Sequence, residues 1–158
     1  MPVLTRGRAA AFAESLRQNG KRVVFTNGVF DLMHPGHVRY LQAARMEGDA
    51  LIVGLNSDRS VREYKGPSRP ITPEGERAEI LAALACVDGV AIFDEQTPER
   101  IIRDIQPDVL VKGADWASDA IVGRDIVEAR GGRVIRMPIE RGWSTSAIIE
   151  KIKNLPTR

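Results

Sequence analysis

The chain has 158 residues, a net charge of +2, and 43% hydrophobic against 28% charged residues. That is enough for one domain with its own core and no disulfide or metal staples. Lys and Arg alternate with Asp and Glu instead of gathering into a basic stripe, which argues against a nucleic-acid partner. No apolar run approaches the length of a membrane span, so no membrane partner is expected. The first eight residues lack the apolar core of a signal peptide. The single cysteine, Cys86, lies in an apolar run and reads as a small buried hydrophobe. A cytoplasmic location is the expectation.

In chain order, the hydrophobic spacing predicts a helix over 8–18, closed by Gly20, and a strand over 22–26. A helix over 36–46 and a strand over 50–55 follow. Residues 56–72, with Gly66, Pro67 and Pro70, read as a long irregular loop, a length that usually signals function or mobility. Thr72-Pro73 then opens a helix over 74–85, and a strand covers 89–93. Thr97-Pro98 opens a helix over 98–105, each pair reading as a cap followed by proline in the first turn. A strand over 109–112 leads into a second loop, 113–123. A helix over 124–130, closed by Gly131-Gly132, precedes a strand over 133–137 and a last helix over 145–152 capped by Ser144. Strands separated by helices imply βαβ units. The expected fold is α/β: a single Rossmann-like three-layer domain over 1–158, with a five-stranded parallel sheet covered by helices on both faces.

The first of these strands runs into Asn27-Gly28-Val29-Phe30-Asp31, and a helix starts near Pro35-Gly36. In an open parallel sheet, ligands bind beyond the carboxyl ends of the strands. A glycine there admits a ligand close to the backbone, and the free N–H groups of the next helix suit phosphate. The segment has neither the Walker lysine pattern nor GxGxxG. It holds the only two histidines in the chain, His34 and His37. By spacing alone they are either a catalytic pair or a helix-capping histidine with a half-buried neighbour. A zinc pair lacks further ligands at suitable spacing.

Gly28-x-Phe30-Asp31 followed by His34-x-Gly36-His37 resembles the HxGH signature of the cytidylyltransferase-like nucleotidyltransferases, and the combination is more specific than either half. The resemblance implies that the loop holds the triphosphate of ATP or CTP, with both imidazoles stabilising the charge that grows as the α-phosphate is attacked. Further segments fall in the order seen in one subgroup: Leu51 to Asp58, Lys65 to Pro70, Arg77, Val111 to Trp116, and Gly142 to Ser146. That subgroup is the adenylyltransferases acting on D-glycero-D-manno-heptose 1-phosphate, which make ADP-heptose for lipopolysaccharide cores. Many are fused behind a sugar kinase; this chain reads as the stand-alone form.

The resemblance implies residue roles. His34 and His37 would stabilise the transition state, with Lys112 at the same sheet edge, while Lys65 and Arg77 neutralise phosphate charge. Thr26, Asn27, Gly28, Phe30 and Gly36 would cradle the nucleotide, and Ser144, Thr145 and Ser146 would bind its triphosphate. Asp31 and Asn56 would face the acceptor. Mg²⁺ is expected with ATP, without a dedicated carboxylate cage and hence without a metal site of the protein's own. A homodimer is implied. The residues also admit plainer readings: Lys65 as a solvated loop cation, Arg77 paired with Glu74 or Glu76, Ser144 to Ser146 as a helix cap alone, and Trp116 and Trp143 as core or rim aromatics. Two other functions compete. One is a cytidylyltransferase for glycerol 3-phosphate or a related phosphorylated alcohol; the other is an inactive nucleotide-binding sensor.

Overall fold

The computed structural model describes residues 3–114, 121–138 and 142–156. Its strands are β1 (Val3–Leu4), β2 (Val23–Gly28), β3 (Ala50–Asn56), β4 (Gly89–Phe93), β5 (Val109–Gly113) and β6 (Arg133–Met137). Its helices are α1 (Arg6–Gln18), α2 (Pro35–Arg45), α3 (Asp58–Lys65), α4 (Glu74–Ala82), α5 (Glu99–Ile105), α6 (Arg124–Glu128) and α7 (Thr145–Lys153). The strands form one sheet in the order β1-β4-β3-β2-β5-β6, and every neighbouring pair is parallel.

The sheet therefore has six strands, not the expected five. The extra one, β1, is two residues long and pairs Val3 with Val90 and Leu4 with Ala91 at the sheet's edge. Two residues carry no periodicity, so only pairing reveals the strand.

Both faces of the sheet are buried, and the strands show how one apolar run serves both. Val24, Leu51, Val53, Leu55 and Val111 pack with Leu41 and Ala44 of α2 and with Ala78 and Leu81 of α4. The alternate residues Val23, Phe25, Ile52, Ala91 and Leu110 pack with Ala9 and Ala13 of α1, Ile101, Ile102 and Ile105 of α5, and Val127 of α6. Successive side chains of a strand point to opposite faces, so unbroken Val, Ile and Leu runs fit a sheet sandwiched between helices.

The largest departure from expectation lies in 56–72. Eight of these residues form α3, with Ser57 as N-cap, its hydroxyl accepting from the Ser60 N–H at 3.1 Å. Asp58 sits in the first turn and Arg62 and Lys65 in the last, complementing the helix dipole. Val61 is its single buried hydrophobe, which is why apolar spacing does not announce the helix. The caps expected at Thr72 and Thr97 fall one residue later, on Pro73 and Pro98, with no side-chain bond. Gly20 and Gly131 do adopt positive φ, at 70° and 77°. Cys86 packs partly buried against the first core cluster. No helix among the described residues is long and apolar enough to cross a membrane.

The strand order reverses between β2 and β5. From β2 the chain builds outward through β3 to β4, then returns to place β5 and β6 on the other side. Such a switch point opens a crevice at the carboxyl ends of the two central strands.

Candidate active site

A cavity of about 1050 Å³ occupies that crevice. Its floor is the carboxyl edge of the sheet: Asn27 and Gly28 of β2, Asn56 of β3, Lys112 and Gly113 of β5, and Met137 of β6. Its walls come from the loop carrying Phe30, Asp31 and His34, from α3 with Lys65, and from the start of α7.

His34 is the N-cap of α2, its Nδ1 accepting from the His37 N–H at 3.3 Å. That bond leaves the proton of a neutral His34 on Nε2. The capping geometry also lays one imidazole over the other, with ring centroids 3.7 Å apart and planes inclined by 18°. The plain reading of His34 as a cap is thus correct, and it is the same arrangement that presents both rings to the cavity. Phe30 closes the stack edge-on at 5.2 Å from His37. Trp143 lies roughly parallel to His34 at 6.4 Å and is 43% exposed, a rim position. Gly36 is required by this packing: a Cβ there would stand 3.0 Å from Trp143 Cβ and 3.1 Å from His34 Nδ1. Phe30 itself is held at φ 46°, a strained value for a residue with a side chain.

Both histidines titrate low. Burial is the first cause for each, and for His37 the charges of His34 and Lys65 add to it, bringing its pKa to about 4. The His37 Nδ1 is buried and without a hydrogen-bond partner among the described residues. A buried neutral imidazole of this kind binds fewer protons folded than unfolded. Its contribution to stability is present above pH 6.5 and lost as pH falls toward about 4. Chemical denaturation across that interval should show falling stability in the wild type and a shallower fall in His37→Gln. Equal slopes would remove His37 as the cause.

Lys112 is 8% exposed at the end of β5, and its ammonium donates to Asn27 Oδ1 on the neighbouring strand. Burial lowers its pKa to about 8. The N-terminus of α7 reaches the same cavity. Ser144 caps it as expected, accepting from the Ala147 N–H at 3.1 Å, while the Thr145 hydroxyl donates to Leu32 O at 3.3 Å and ties α7 to the histidine loop. Ser144, Thr145 and Ser146 all line the cavity, as do Lys65 and Asn56. Asn56 also donates to Ser60 Oγ at 3.3 Å.

Three of the expected contacts are corrected by the geometry. Thr26 is fully buried, its hydroxyl engaged with Val111 O at 3.0 Å and with the Tyr40 hydroxyl at 2.8 Å, so it ties β2 to β5 and to α2 and is not among the residues lining the cavity. Arg77 is fully buried as well. Its guanidinium donates to Thr72 O at 2.8 Å, Val29 O at 2.6 Å and Asp58 Oδ1 at 2.7 Å, which leaves it beneath the site instead of on a phosphate; its ion-pair partner is Asp58, not Glu74 or Glu76. Asp31 borders the cavity, but its carboxylate is spent on Arg69 Nε at 2.6 Å, the Ile71 N–H at 2.9 Å and the Thr72 N–H at 2.9 Å. Burial pushes the Asp31 pKa up, and the Thr72 and Ile71 N–H groups together with Arg69 outweigh it, holding the carboxyl below its usual value. Asp31 is therefore held ionised, with its carboxylate engaged by protein groups.

The sequence reading missed Gln96 and Thr97 after β4, and Glu63 and Tyr64 of α3, all of which line the cavity. Nothing in the sequence says that β4 lies beside β3, so the loop after β4 has no reason to be placed at the site. Trp116 and most of the second loop lie outside the described residues. Among the described residues no three His, Cys, Asp or Glu side chains are grouped to hold a metal.

The sequence profile described as Cytidylyltransferase-like matches residues 25–151, which take in most of β2, the histidine loop, and every later strand and helix as far as most of α7. The chain belongs to the cytidylyltransferase-like family. Its fold is thus that of a nucleotidyltransferase domain. It is 58% identical over 144 residues to the "Bifunctional protein HldE" of Geotalea uraniireducens (strain Rf4), covering 91% of this chain and 29% of that protein. This chain therefore spans less than a third of that relative. Among solved structures it resembles the lipopolysaccharide core biosynthesis protein of Thermoplasma volcanium GSS1, with a TM-score of 0.63 at 28% identity over 77% of this chain and 98% of that one. The pantoate-beta-alanine ligase of Francisella tularensis shares the fold at a TM-score of 0.61 and 14% identity, covering 99% of this chain and 74% of the ligase.

Proposed function

We propose that the chain transfers AMP from ATP to D-glycero-D-manno-heptose 1-phosphate, giving ADP-heptose for lipopolysaccharide core synthesis and releasing pyrophosphate. The observation that carries this reading is the convergence of the stacked His34–His37 pair, Lys112 and the N-terminus of α7 on one cavity at the switch point. These groups suit a polyphosphate: two preorganised imidazoles, a buried cation, and backbone N–H groups at a helix start. The relative named HldE and the lipopolysaccharide core biosynthesis protein support the choice of acceptor.

In the proposed reaction an oxygen of the acceptor phosphate attacks the α-phosphorus of ATP. The bond from the α-phosphorus to the bridging oxygen breaks, and that oxygen leaves with pyrophosphate. The acceptor phosphate is already anionic near neutral pH, so no general base is needed, and the protein's task is positioning and charge stabilisation. His34 and His37 meet the α-phosphate region, Lys112 and Lys65 offset negative charge, and Ser144, Thr145 and Ser146 hold the outer phosphates. Gly28, Phe30 and Gly36 shape the cradle and Asn27 orients Lys112, while Asn56 faces the acceptor. Mg²⁺ accompanying ATP would supply further neutralisation of the leaving pyrophosphate, with Lys112 and Lys65 offsetting charge from the protein side. Assembly as a homodimer and a cytoplasmic location belong to the same reading.

Pyrophosphate release from ATP and CTP, each with heptose 1-phosphate and a panel of sugar and alcohol phosphates, tests it. ATP with heptose 1-phosphate should be the productive pair. CTP use with glycerol 3-phosphate would put the chain among the alcohol-phosphate cytidylyltransferases. Nucleotide binding without pyrophosphate release for any acceptor would make it a sensor.

A further inference from the structure

Two of the three residues displaced from their expected contacts, Asp31 and Arg77, converge on one segment. Asp31 belongs to the histidine loop, and its carboxylate takes Arg69, Ile71 and Thr72 from across the cavity mouth. Its side chain is 1% exposed, against 13% for Arg69. Arg77 ties the same segment from beneath, through Thr72 O, while its other two bonds hold Val29 O and Asp58 at the start of α3. A third tie runs from Glu74 to the Asp58 N–H. The stretch from Asp58 to Thr72 is thus fastened to the histidine loop at both ends, and Lys65 stands between the two fastenings, at the last turn of α3.

Lys65 lines the cavity, and its charge is felt at His37. Such placement has an opposing force. Lys65 is partly desolvated and faces the like charge of Arg69, both of which favour swinging the ammonium outward into water; among the described residues Asp31 is the one negative group acting on it. Tyr64, beside it, is 72% exposed, and its ring stands 5.9 Å from the Lys65 ammonium, a contact worth little at an exposed site. Without the fastenings, a surface lysine on a short polar helix would spend much of its time away from the cavity.

We infer that Asp31 and Arg77 are positioning residues that act through Lys65: together they clamp the segment 58–72 to the histidine loop and so hold the Lys65 ammonium against the phosphates bound beside His37. The inference rests on the proposed phosphate site, not on the identity of the acceptor. Neither residue touches substrate. Their removal costs activity because a cation leaves the site, and that loss is already complete in a chain without Lys65.

A double-mutant cycle separates this from the alternatives. Asp31→Asn and Lys65→Ala are made singly and together, and kcat/KM for pyrophosphate release is measured beside ATP affinity by calorimetry. Each single variant should lose roughly tenfold or more, an effect sized as the loss of one charged contact, and the double variant should lose little beyond Lys65→Ala. Multiplying losses, or a KM change confined to the acceptor, would overturn the inference and return Asp31 to direct acceptor contact. Because the buried carboxylate affects folding, Arg69→Gln serves as the second arm, cutting the same link from its less buried side. It should reproduce the coupling with Lys65 even where the unfolding midpoint falls, as removal of one partner of a buried pair does; loss of stability without coupling would mark the cluster as structural only. If heptose 1-phosphate is not the acceptor, the ATP-affinity arm of the cycle still decides, so failure of the acceptor assignment and failure of the clamp are distinguishable.

Discussion

Replacing His37 by alanine should lower kcat for pyrophosphate release by roughly 10²–10³, a loss of about 3 kcal/mol of transition-state stabilisation. The ring is held ready before substrate arrives. It stacks on His34 at 3.7 Å, abuts Phe30 and is kept neutral by burial. A preorganised group of this kind requires no reorganisation as charge develops, so its effect should fall on kcat and kcat/KM alike, with ATP affinity changed less. His34→Ala should fall similarly and in addition fray the start of α2, because His34 is the cap. Steady-state kinetics beside thermal unfolding read both effects. Full activity in a folded His37→Ala variant would refute the catalytic assignment.

Lys112→Met should make the free protein more stable and the enzyme worse. With a pKa brought from 10.5 to about 8, charged Lys112 costs on the order of 3 kcal/mol in the folded state. The sign follows from proton counts. Between about pH 8 and 10.5 the unfolded chain holds the proton and the folded one does not, so wild-type stability should rise with pH over that range. Below it the full penalty is present. Methionine removes the charge at similar volume, and Asn27, which borders the cavity, can turn its amide oxygen to water. The variant should therefore unfold at higher denaturant at pH 7 and show no rise on the alkaline side, while ATP binding weakens roughly tenfold to a hundredfold for want of a buried charged contact. A less stable variant with unaltered ATP affinity would make Lys112 a structural partner of Asn27 and nothing more. The pairing of instability with function is what a phosphate site built on a buried lysine requires: the bound anion relieves the desolvation that the empty site leaves exposed.

The clamp at Asp31 and Arg77 shows how far residue identity carries. Both fall within motifs that the sequence aligns with phosphate chemistry, and both side chains are bonded to protein groups. A charged residue in a motif signals that the charge matters; whether it meets a ligand or a backbone carbonyl depends on which way a buried side chain points, and only packing decides that. Thr26 makes the same point with a hydroxyl, spent on Val111 O and the Tyr40 hydroxyl instead of a nucleotide. Among the residues that did reach the cavity as expected, His34, His37, Lys112 and Ser144 to Ser146 lie at strand ends or in the first turns of helices, where backbone geometry largely sets direction.

By itself the sequence determined the α/β class, five of the strands, six of the helices to within a few residues, and the loop that brings both histidines to the cavity. Each of these rests on a local signal: apolar spacing, a cap, a glycine, or the fixed distance between two histidines. Tertiary structure alone decided the edge strand β1, the polar helix α3, the neighbour relation of β4 to β3 that brings Gln96 and Thr97 to the cavity, and the inward turn of Asp31 and Arg77. The physical reason is shared. A two-residue strand, a helix with one buried hydrophobe and a buried ion pair have no stability of their own, and they exist only because distant parts of the chain supply their partners.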